Sequence, residues 1–262
     1  MWTCLKLPVS AGKRFSRALD KSEMTTRTIP AERVNAMLSV IKEFQCLSPK
    51  DIEMVAAACQ WHRYEAGNEI VRYHDHTNSA FFIVQGEIRV MYHGLSGQEV
   101  ILCDLPTGEM FGELTAIDGH PRSATVIART SVLLASMPAL DFQNLIYSNR
   151  QIAEIILKRL TGQVRRLTER VYDYSTLAVR NRIQAELLRL AKNHMTSPNA
   201  AIISPAPTQT EIANLVSTHR EAVSRELNKL AKNKLIVRQG HDLHVLDIAK
   251  LTEMVNEARG SL

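Results

Sequence analysis

Long apolar runs are missing from this sequence of 262 residues: no stretch of about 18 apolar residues occurs, and we predict no membrane-spanning helix. Nor does the N-terminal segment contain the continuous apolar core of a secretory signal. We interpret residues 1–30 as a disordered extension, with a transit peptide as the alternative because basic residues outnumber acidic ones there. Met24 is a second candidate for the native start, since ordered-looking sequence begins near Pro30.

Cysteine is scarce and scattered. Cys4, Cys46, Cys59 and Cys103 include no CxxC pair, whereas metal and iron–sulfur sites need thiolates that converge, usually from short spacings. We interpret the four as buried or free thiols of a reducing compartment, and we expect a cytoplasmic protein without a metal site.

Motifs that carry catalysis are missing as well. The sequence has no GxGxxG that opens a helix, no P-loop, no HExxH and no GxSxG, so we predict no enzyme, no catalytic residue and no cofactor. His74 and His76 would share one face of a strand, which permits a metal or a haem iron. Because no third ligand is evident, a polar hairpin is the preferred interpretation.

The middle of the sequence is typical of a β-sandwich or barrel. Residues 31–60 have apolar positions at helical spacing, and from Trp61 onward short β-branched runs alternate with glycines such as Gly67, Gly86 and Gly108. Many short strands with turn signals between them favour a closed or two-layered β structure.

A long helix is predicted after Leu140. Its apolar residues step by three or four positions and form one stripe: Ile152, Ile156, Leu160, Val164, Leu167 and Val171. Such a stripe resembles a coiled-coil seam, which a homodimer would bury. The alternative is that the stripe packs on its own β domain. We favour dimerisation because a helix of roughly 30 residues spans about 45 Å, longer than a small domain needs.

The C-terminal part is predicted to be helical with a small hairpin near its end. Helices are expected at about 180–194, 208–216, 219–233 and 249–260, with a loop after the first and two short strands around Gly240. From Arg180 onward, 12 lysines and arginines stand against 8 acidic residues, in a chain of net charge +5. This basic excess suggests an anionic partner.

The stretch FGELTAIDGHPRSATVIA has the residue types that a cyclic nucleotide needs for its phosphate and its ribose hydroxyl. Gly112 permits close backbone approach, Glu113 can accept from the hydroxyl, and Arg122 can direct two N–H donors at the phosphate. Ser123 and Ala124 can offer backbone and hydroxyl donors beside it. The alternative is a β-roll without a ligand, in which Arg122 and Glu113 form a structural ion pair.

This stretch resembles the phosphate-binding cassette of cyclic-nucleotide-binding domains. The resemblance implies these ligand contacts: Gly112, Glu113, Leu114, Arg122, Ser123 and Ala124. In the related cAMP receptor proteins, adjacent polar residues of the dimer helix reach the base, and a gap-free alignment from Phe142 places them at Leu167 and Thr168. Because Leu167 is apolar and the Thr168 hydroxyl can bond to either purine, cAMP and cGMP both stay candidate ligands.

Residues 207–236 have the pattern of a helix–turn–helix, with two apolar helix faces separated by a break at Ser217 and Thr218. Side chains suited to DNA stand near the starts of the two helices: Thr208, Gln209, Thr218 and His219 for phosphates, and Arg220, Glu221, Ser224 and Arg225 for base edges. The alternative is that Arg220, Glu221 and Arg225 form salt bridges on an exposed helix face.

Over about residues 34–247 the sequence resembles the cAMP receptor protein (Crp/Fnr) family, including the Arg-Glu-x-x-x-Arg triplet in HREAVSREL. The resemblance implies an α+β chain in four parts: the extension (1–30), a jelly-roll-like β-roll or double-stranded β-helix (31–139), a dimerisation helix (140–174) and a winged helix–turn–helix (175–262).

The function that the resemblance implies is a homodimeric transcription regulator, an activator in our interpretation, that responds to a cyclic nucleotide. Its partners would be double-stranded DNA with a TGTGA-N6-TCACA-like palindrome and RNA polymerase, with no membrane. We expect the ligand to touch the β-roll and the dimer helix together and so to position the recognition helices. The alternatives are a regulator with a vestigial nucleotide site or another signal, and a signalling regulator that binds no DNA.

Overall fold

A computed structural model describes residues 31–94 and 99–260. The expectations for the extension, for Met24 and for Cys4 lie outside the described residues. The helices are α1 (Ala31–Leu38), α2 (Pro49–Ala58), α3 (Glu113–Asp118), α4 (Ala139–Ser148), α5 (Arg150–Thr176), α6 (Val179–Asn193), α7 (Gln209–Leu215), α8 (Arg220–Lys232) and α9 (Ile248–Arg259). The strands are β1 (Gln60–Tyr64), β2 (Glu69–Val71), β3 (Ala80–Gln85), β4 (Glu87–His93), β5 (Glu99–Pro106), β6 (Met110–Phe111), β7 (Thr125–Ala128), β8 (Val132–Met137), β9 (Met195–Ser197), β10 (Ala200–Ile203), β11 (Ile236–Gln239) and β12 (Asp242–Val245).

The N-terminal helical segment is divided rather than continuous. A 3-10 turn at Lys42–Phe44 separates α1 from α2. Helix α2 begins at Pro49, which needs no hydrogen-bond partner in the first helical turn, and the Ser48 hydroxyl accepts from the Asp51 N–H at 3.2 Å. These short helices pack on the roll through a buried core that includes Leu38, Ile41 and Phe44. The prediction of helix over residues 31–60 is therefore right in type and wrong in continuity.

The middle of the chain forms two antiparallel sheets of four strands. One has the order β1–β8–β3–β6, and the other has the order β2–β7–β4–β5. Their facing side chains form one buried core, with Phe81, Ile83 and Leu134 from the first sheet and Ile88 and Val126 from the second. The predicted jelly-roll-like β-roll is confirmed by this arrangement of two facing antiparallel sheets.

The helical region after the roll has a break that the periodicity did not predict. Helix α4 ends at Ser148, and α5 starts at Arg150 after a residue in extended conformation, Asn149. The Asn149 side chain accepts from the N–H groups of Gln151 and Ile152 at 3.0 and 3.1 Å, which stabilises a new helix start. Helix α5 alone has 27 residues and so spans about 40 Å.

The apolar stripe of α5 divides into two halves. Ile152 and Ile156 are buried in the core beneath the roll, so the alternative of packing on the chain's own β domain holds for this half. Val164, Leu167 and Val171 are 62%, 55% and 65% exposed. The second half therefore presents an apolar surface that residues 31–94 and 99–260 leave uncovered.

The C-terminal part has the predicted helices with ends that shift by one residue. The prediction of a plain loop between α6 and α7 is wrong, because β9 and β10 occupy that segment and join the wing strands in a sheet of order β11–β12–β10–β9. Ala201 of β10 pairs with Val245 of β12, and both side chains are buried in the C-terminal core. The polar and proline-rich composition of the segment did not predict this strand. Gly240 has φ +59° in the turn between β11 and β12, as the predicted hairpin requires.

The predictions of no membrane-spanning helix and of free cysteines can be compared with the described part of the chain, which includes Cys46, Cys59 and Cys103. No helix there is both long and apolar enough to cross a bilayer. Cys46 is exposed, Cys59 and Cys103 are half-buried, and burial raises the pKa of the Cys59 thiol to about 12. None of the three forms a disulfide within residues 31–94 and 99–260.

Candidate nucleotide-binding and DNA-binding sites

The predicted cassette forms one compact segment at an end of the roll. It leaves β6, passes through the short helix α3 and enters β7. A second loop, residues 72–79, runs beside it: the Arg122 N–H donates to the Asp75 carbonyl at 2.8 Å, and the His74 N–H donates to the Arg122 carbonyl at 3.0 Å. The Tyr73 N–H donates to the Thr125 hydroxyl at 3.1 Å. The backbone of the candidate phosphate site is thus fixed by hydrogen bonds to this loop.

Arg122 is the most completely enclosed of the predicted ligand contacts, with 2% of its surface exposed. Its guanidinium donates to the Thr77 hydroxyl at 3.0 Å, to the Ser79 carbonyl at 2.8 Å and to the Gly112 carbonyl at 3.2 Å. Burial lowers the pKa of Arg122 from its ordinary value. Because these bonds use three of its five N–H donors, the charged group has two donors left for an anion.

Gly112 lies where the backbone passes directly over Arg122. It has φ +78°, and a Cβ atom there would stand 2.6 Å from Arg122 Nη1 and 3.0 Å from the Ser79 carbonyl oxygen. Both the left-handed conformation and the close approach therefore require glycine.

Replacement of Gly112 by alanine is expected to reduce the free energy of unfolding by about 1–3 kcal/mol and to weaken nucleotide binding, since Arg122 must move. Gly67→Ala is the matched control because Gly67 has φ +85° and nothing within 4 Å of an added Cβ. Denaturant unfolding and calorimetric titration of both variants measure the two effects. Equal losses in the two variants would contradict the importance of the close approach.

Glu113 is buried but does not pair with Arg122. Its Oε1 accepts from Gln163 Nε2 of helix α5 at 3.0 Å, and no ion pair joins Glu113 to Arg122 among the described residues. The alternative of a structural Arg122–Glu113 ion pair is therefore wrong. Instead the two charged groups stand apart in the same cassette, and one of them is bonded to the long helix.

Gln163 is the residue that sequence reasoning missed. It lies on α5 one turn after Arg159, which donates to the Met110 carbonyl and to Glu109 Oε2, both at 2.6 Å. Polar residues four positions apart, on the face next to the apolar stripe, are the signal that could have revealed this contact. Helix α5 is therefore bonded to both flanks of Gly112.

The other predicted cassette contacts differ in exposure. Ala124 is buried at the start of β7, whereas Leu114 is 42% exposed and Ser123 is exposed. The Ser123 carbonyl accepts from the Tyr92 hydroxyl, which ties the segment to β4. Of Ser123 and Ala124, Ser123 is therefore the one that solvent reaches.

Leu167 and Thr168 are not brought to the cassette within one chain. Leu167 is exposed, and the Thr168 hydroxyl donates to the Val164 carbonyl of its own helix at 2.9 Å. Thr168 borders a shallow groove of about 290 Å³ with Glu169, Tyr172 and Arg259. The contact of these two residues with a base stays a prediction.

The expectation for His74 and His76 is wrong in its geometry. They lie in the loop between β2 and β3 and not on a strand face, and His74 has φ +68°. The backbone N–H of His74 donates to the Arg122 carbonyl, so His74 takes part in holding the loop against the cassette.

Helices α7 and α8 form the predicted helix–turn–helix. Thr208 and Glu211 cap α7 reciprocally, and Ser217 has φ +49° in the turn, where the Thr218 N–H donates to the Ala213 carbonyl at 2.9 Å. Val223 on α8 is fully buried against the C-terminal core. This packing fixes which face of α8 turns outward.

The outward face of α8 carries the predicted base-reading residues. Arg220, Glu221 and Arg225 are exposed, as is His219, while Gln209, Thr218 and Ser224 are half-buried. Among the described residues, no ion pair joins Arg220, Glu221 and Arg225 to one another. The alternative of an internal salt-bridge network is therefore not supported. On the opposite face Glu226 is buried and accepts from Gln184 of α6, a polar contact that the sequence pattern did not reveal.

Comparison with protein-family models gives two matches. Residues 61–149 match the model of the cyclic nucleotide-binding domain, and residues 181–254 match the model of the Crp-like helix-turn-helix domain. The two matches lie on the roll with its following helix and on the C-terminal sheet and helices, respectively.

The similarity to known proteins extends over nearly the whole length of those proteins. The cAMP-activated global transcriptional regulator CRP of Escherichia coli is 33% identical over 201 residues, which cover 74% of this chain and 93% of CRP. The cAMP-activated global transcriptional regulator Vfr of Pseudomonas aeruginosa is 28% identical over 75% of this chain and 94% of its own. Among solved structures, a CooA mutant from Carboxydothermus hydrogenoformans has the same fold, with a TM-score of 0.68, 22% identity and coverage of 77% of this chain and 90% of CooA.

Proposed function

Since this chain is a cyclic-nucleotide-binding transcription regulator that belongs to the Crp/Fnr family, we propose that cAMP is its ligand, with cGMP as the other candidate, and that the ligand controls its binding to a palindromic DNA site. The curated relatives are cAMP-activated regulators, and the catalytic motifs sought in the sequence are missing, so we propose no enzymatic role.

The observation that carries the proposal is the division of the cassette between two partners. Arg122 is held by the roll, ready for a phosphate, while Glu113 is bonded to Gln163 of α5. A ribose hydroxyl that donates to Glu113 would compete with Gln163 or share the carboxylate with it. Binding is thereby coupled to the helix that leads into the DNA-binding domain, and the ligand can bias two states only by its differential affinity for them.

A homodimer follows from the uncovered half of the α5 stripe. Val164, Leu167 and Val171 would bury apolar surface against the same residues of a second chain, as a two-fold axis along α5 allows. In that assembly Leu167 and Thr168 of one chain would lie near the cassette of the other, where they would form the base contact.

The two α8 helices of the dimer would read the two half-sites of TGTGA-N6-TCACA or a close variant. Arg220 and Arg225 have the donors that guanine accepts, and Glu221 can accept from cytosine. Gln209, Thr218 and His219 would hold phosphates. We further propose an activator that contacts RNA polymerase in the cytoplasm, as the cAMP-activated relatives suggest.

A second candidate is a family member that responds to another signal. Leu167 supports it, because an apolar side chain at a predicted base contact gives no hydrogen bond to adenine. On this alternative the cassette would be vestigial, and the helix–turn–helix would still bind its site.

The test is calorimetric titration of the purified protein with cAMP and cGMP, followed by titration with a TGTGA-N6-TCACA duplex with each ligand. We expect one or both nucleotides to bind, and the specific duplex complex to reach a Kd of about 10⁻⁸–10⁻¹¹ M only with ligand. Sedimentation should give two chains per duplex. If the duplex is bound without either nucleotide binding, the second candidate is correct. If nucleotide binds and no palindrome does, the protein is a signalling regulator of another kind.

A further inference from the structure

A group of charged residues joins the helix–turn–helix to the roll. Glu211 of α7 places Oε1 2.7 Å from Arg89 Nη2 of β4 and 3.4 Å from Nη2 of Arg129, which directly follows β7. Asp104 and Glu87 complete the group, which we call the Glu211 cluster. It connects parts of the chain that are about a hundred residues apart in sequence, and it depends on how the two domains are placed.

The roll holds the two arginines firmly in place. Arg89 donates to Asp104 through Nε and Nη2 at 2.7 and 2.8 Å, and Arg129 Nη1 stands 2.9 Å from Asp104 and 3.1 Å from Glu87. The side chains of Arg89 and Glu211 are only 16% and 21% exposed, so solvent screens this pair less than a surface pair. A forked arginine of this kind has a defined geometry and so can set a position.

The two oxygens of Glu211 have separate tasks. Oε2 accepts from the Thr208 N–H at 2.8 Å and caps α7, whereas Oε1 faces the arginines. Burial by itself would raise the pKa of Glu211, but the hydrogen bonds from Thr208 and Arg89 bring it below its ordinary value. The cap needs only Oε2, so the ion pair of Oε1 with Arg89 is not required for the start of α7 and instead joins α7 to the roll.

The other end of α7 is held as well. The Leu215 carbonyl accepts from Arg170 Nη2 at 2.9 Å and from the Tyr174 hydroxyl at 2.8 Å, both from α5. Arg170 Nη1 also donates to the Leu102 carbonyl of β5 at 2.6 Å. Beside these contacts Ile101 of β5 is buried in the core of the C-terminal domain. Helix α7 is therefore fixed at its start by the Glu211 cluster and at its end by α5.

We propose that Glu211, Arg89 and Arg129 are positioning residues that hold the helix–turn–helix against the roll in the placement that reads DNA. In this placement Arg220, Glu221 and Arg225 of α8 remain exposed, so the contact leaves the reading surface free. The cluster also lies on the strands of the ligand site, because Arg129 follows β7, which begins after Ser123 and Ala124, and Arg89 pairs with Ile127 of β7. The inference rests on the proposed DNA binding.

The test is a double-mutant cycle on the full-length protein with cAMP or cGMP, whichever binds, and the palindromic duplex. Glu211→Gln keeps the capping side chain and removes its charge, and Arg89→Gln removes the partner on the roll. We expect each single variant to weaken specific DNA binding about tenfold, and the double variant to weaken it by clearly less than the product of the two losses, because both remove the contact between Arg89 and Glu211 while Arg129 still faces Glu211 in Arg89→Gln. The nucleotide stoichiometry of the free protein should stay that of wild type, which a general loss of structure would not allow, and any loss of nucleotide affinity should be no larger than the loss of DNA affinity.

Arg63→Gln is the matched control for Arg89→Gln: Arg63 is exposed on β1 of the same roll, so the charge change equals that of Arg89→Gln and the cluster is intact. Hydrogen exchange without DNA gives an independent measurement, and both facing segments, 209–215 and 99–106, should exchange faster in Glu211→Gln and not in Arg63→Gln. DNA affinity that is unchanged or increased in the single variants, losses that multiply in the double variant, or unchanged exchange would each overturn the proposal. A wild-type protein that binds no palindrome contradicts the proposed function instead, and the exchange measurement then decides whether the contact exists.

Discussion

Arg122→Gln is expected to weaken cyclic-nucleotide binding at least about 100-fold, because the substitution removes the buried charged group that would meet the phosphate. The structure adds a second effect. The oxygens of Thr77, Ser79 and Gly112 lose the hydrogen bonds that the Arg122 guanidinium now donates to them, and glutamine can replace only some of these bonds. The exposed Thr77 hydroxyl can turn to water, but a half-buried carbonyl left unpaired at Ser79 or Gly112 costs about 1–3 kcal/mol, so the unfolding midpoint should fall as well.

Calorimetric titration at a temperature where unfolding curves show the variant to be folded measures the binding effect alone. Arg122→Lys keeps the positive charge with a shorter reach and should lie between wild type and Arg122→Gln. Arg72→Gln is the control, since Arg72 is exposed, pairs with Glu69 and starts the loop beside the cassette. A Kd for Arg122→Gln within threefold of wild type would show that the phosphate binds elsewhere or that the cassette has no ligand.

The type and order of the elements could be predicted because they follow from local periodicity. Alternation and glycine turns indicate the strands of the roll, and apolar spacing indicates α5 and the helices of the C-terminal part. The break between α4 and α5 and the short strands β9 and β10 could not be predicted in this way. Asn149 ends one helix and starts another through its own side chain, and β9 becomes a strand only because β10 and β12 lie beside it. Such features depend on partners that no local window contains.

The site was predictable in its chemistry and only partly in its geometry. Glycine, acid and arginine at fixed spacing indicate what the cassette can bind, but not that Arg122 donates to Ser79 or that Glu113 turns to Gln163. The alignment to the dimer helix selected Leu167 and Thr168, whereas the contact within one chain comes from a residue one turn earlier. Long-range polar contacts such as that of Glu211 with Arg89 have no local pattern, because each partner is an ordinary charged residue in its own element.

Arg225→Ala is expected to weaken binding to the palindromic duplex by about 1–3 kcal/mol and to relax preference at one base pair of each half-site. Arg225 is exposed on the outward face of α8, whose inner face is fixed by Val223 and by the buried contact of Glu226 with Gln184. The side chain therefore has no structural task among the described ion pairs, and its loss should leave the unfolding midpoint almost unchanged.

Titration of wild type and variants with the palindrome and with duplexes that carry single base-pair substitutions separates base-specific contacts from the general attraction between positive side chains and phosphates. Lys229→Ala, one turn further along α8 and also exposed, removes the same charge. If Lys229 meets only phosphate, its loss should weaken all duplexes alike and reduce the slope of log affinity against log salt by about one. Arg225→Ala should instead narrow the difference between the palindrome and one substituted duplex. If Arg225→Ala keeps both affinity and base preference within twofold, α8 is not the recognition helix, and the winged domain must present another surface to DNA.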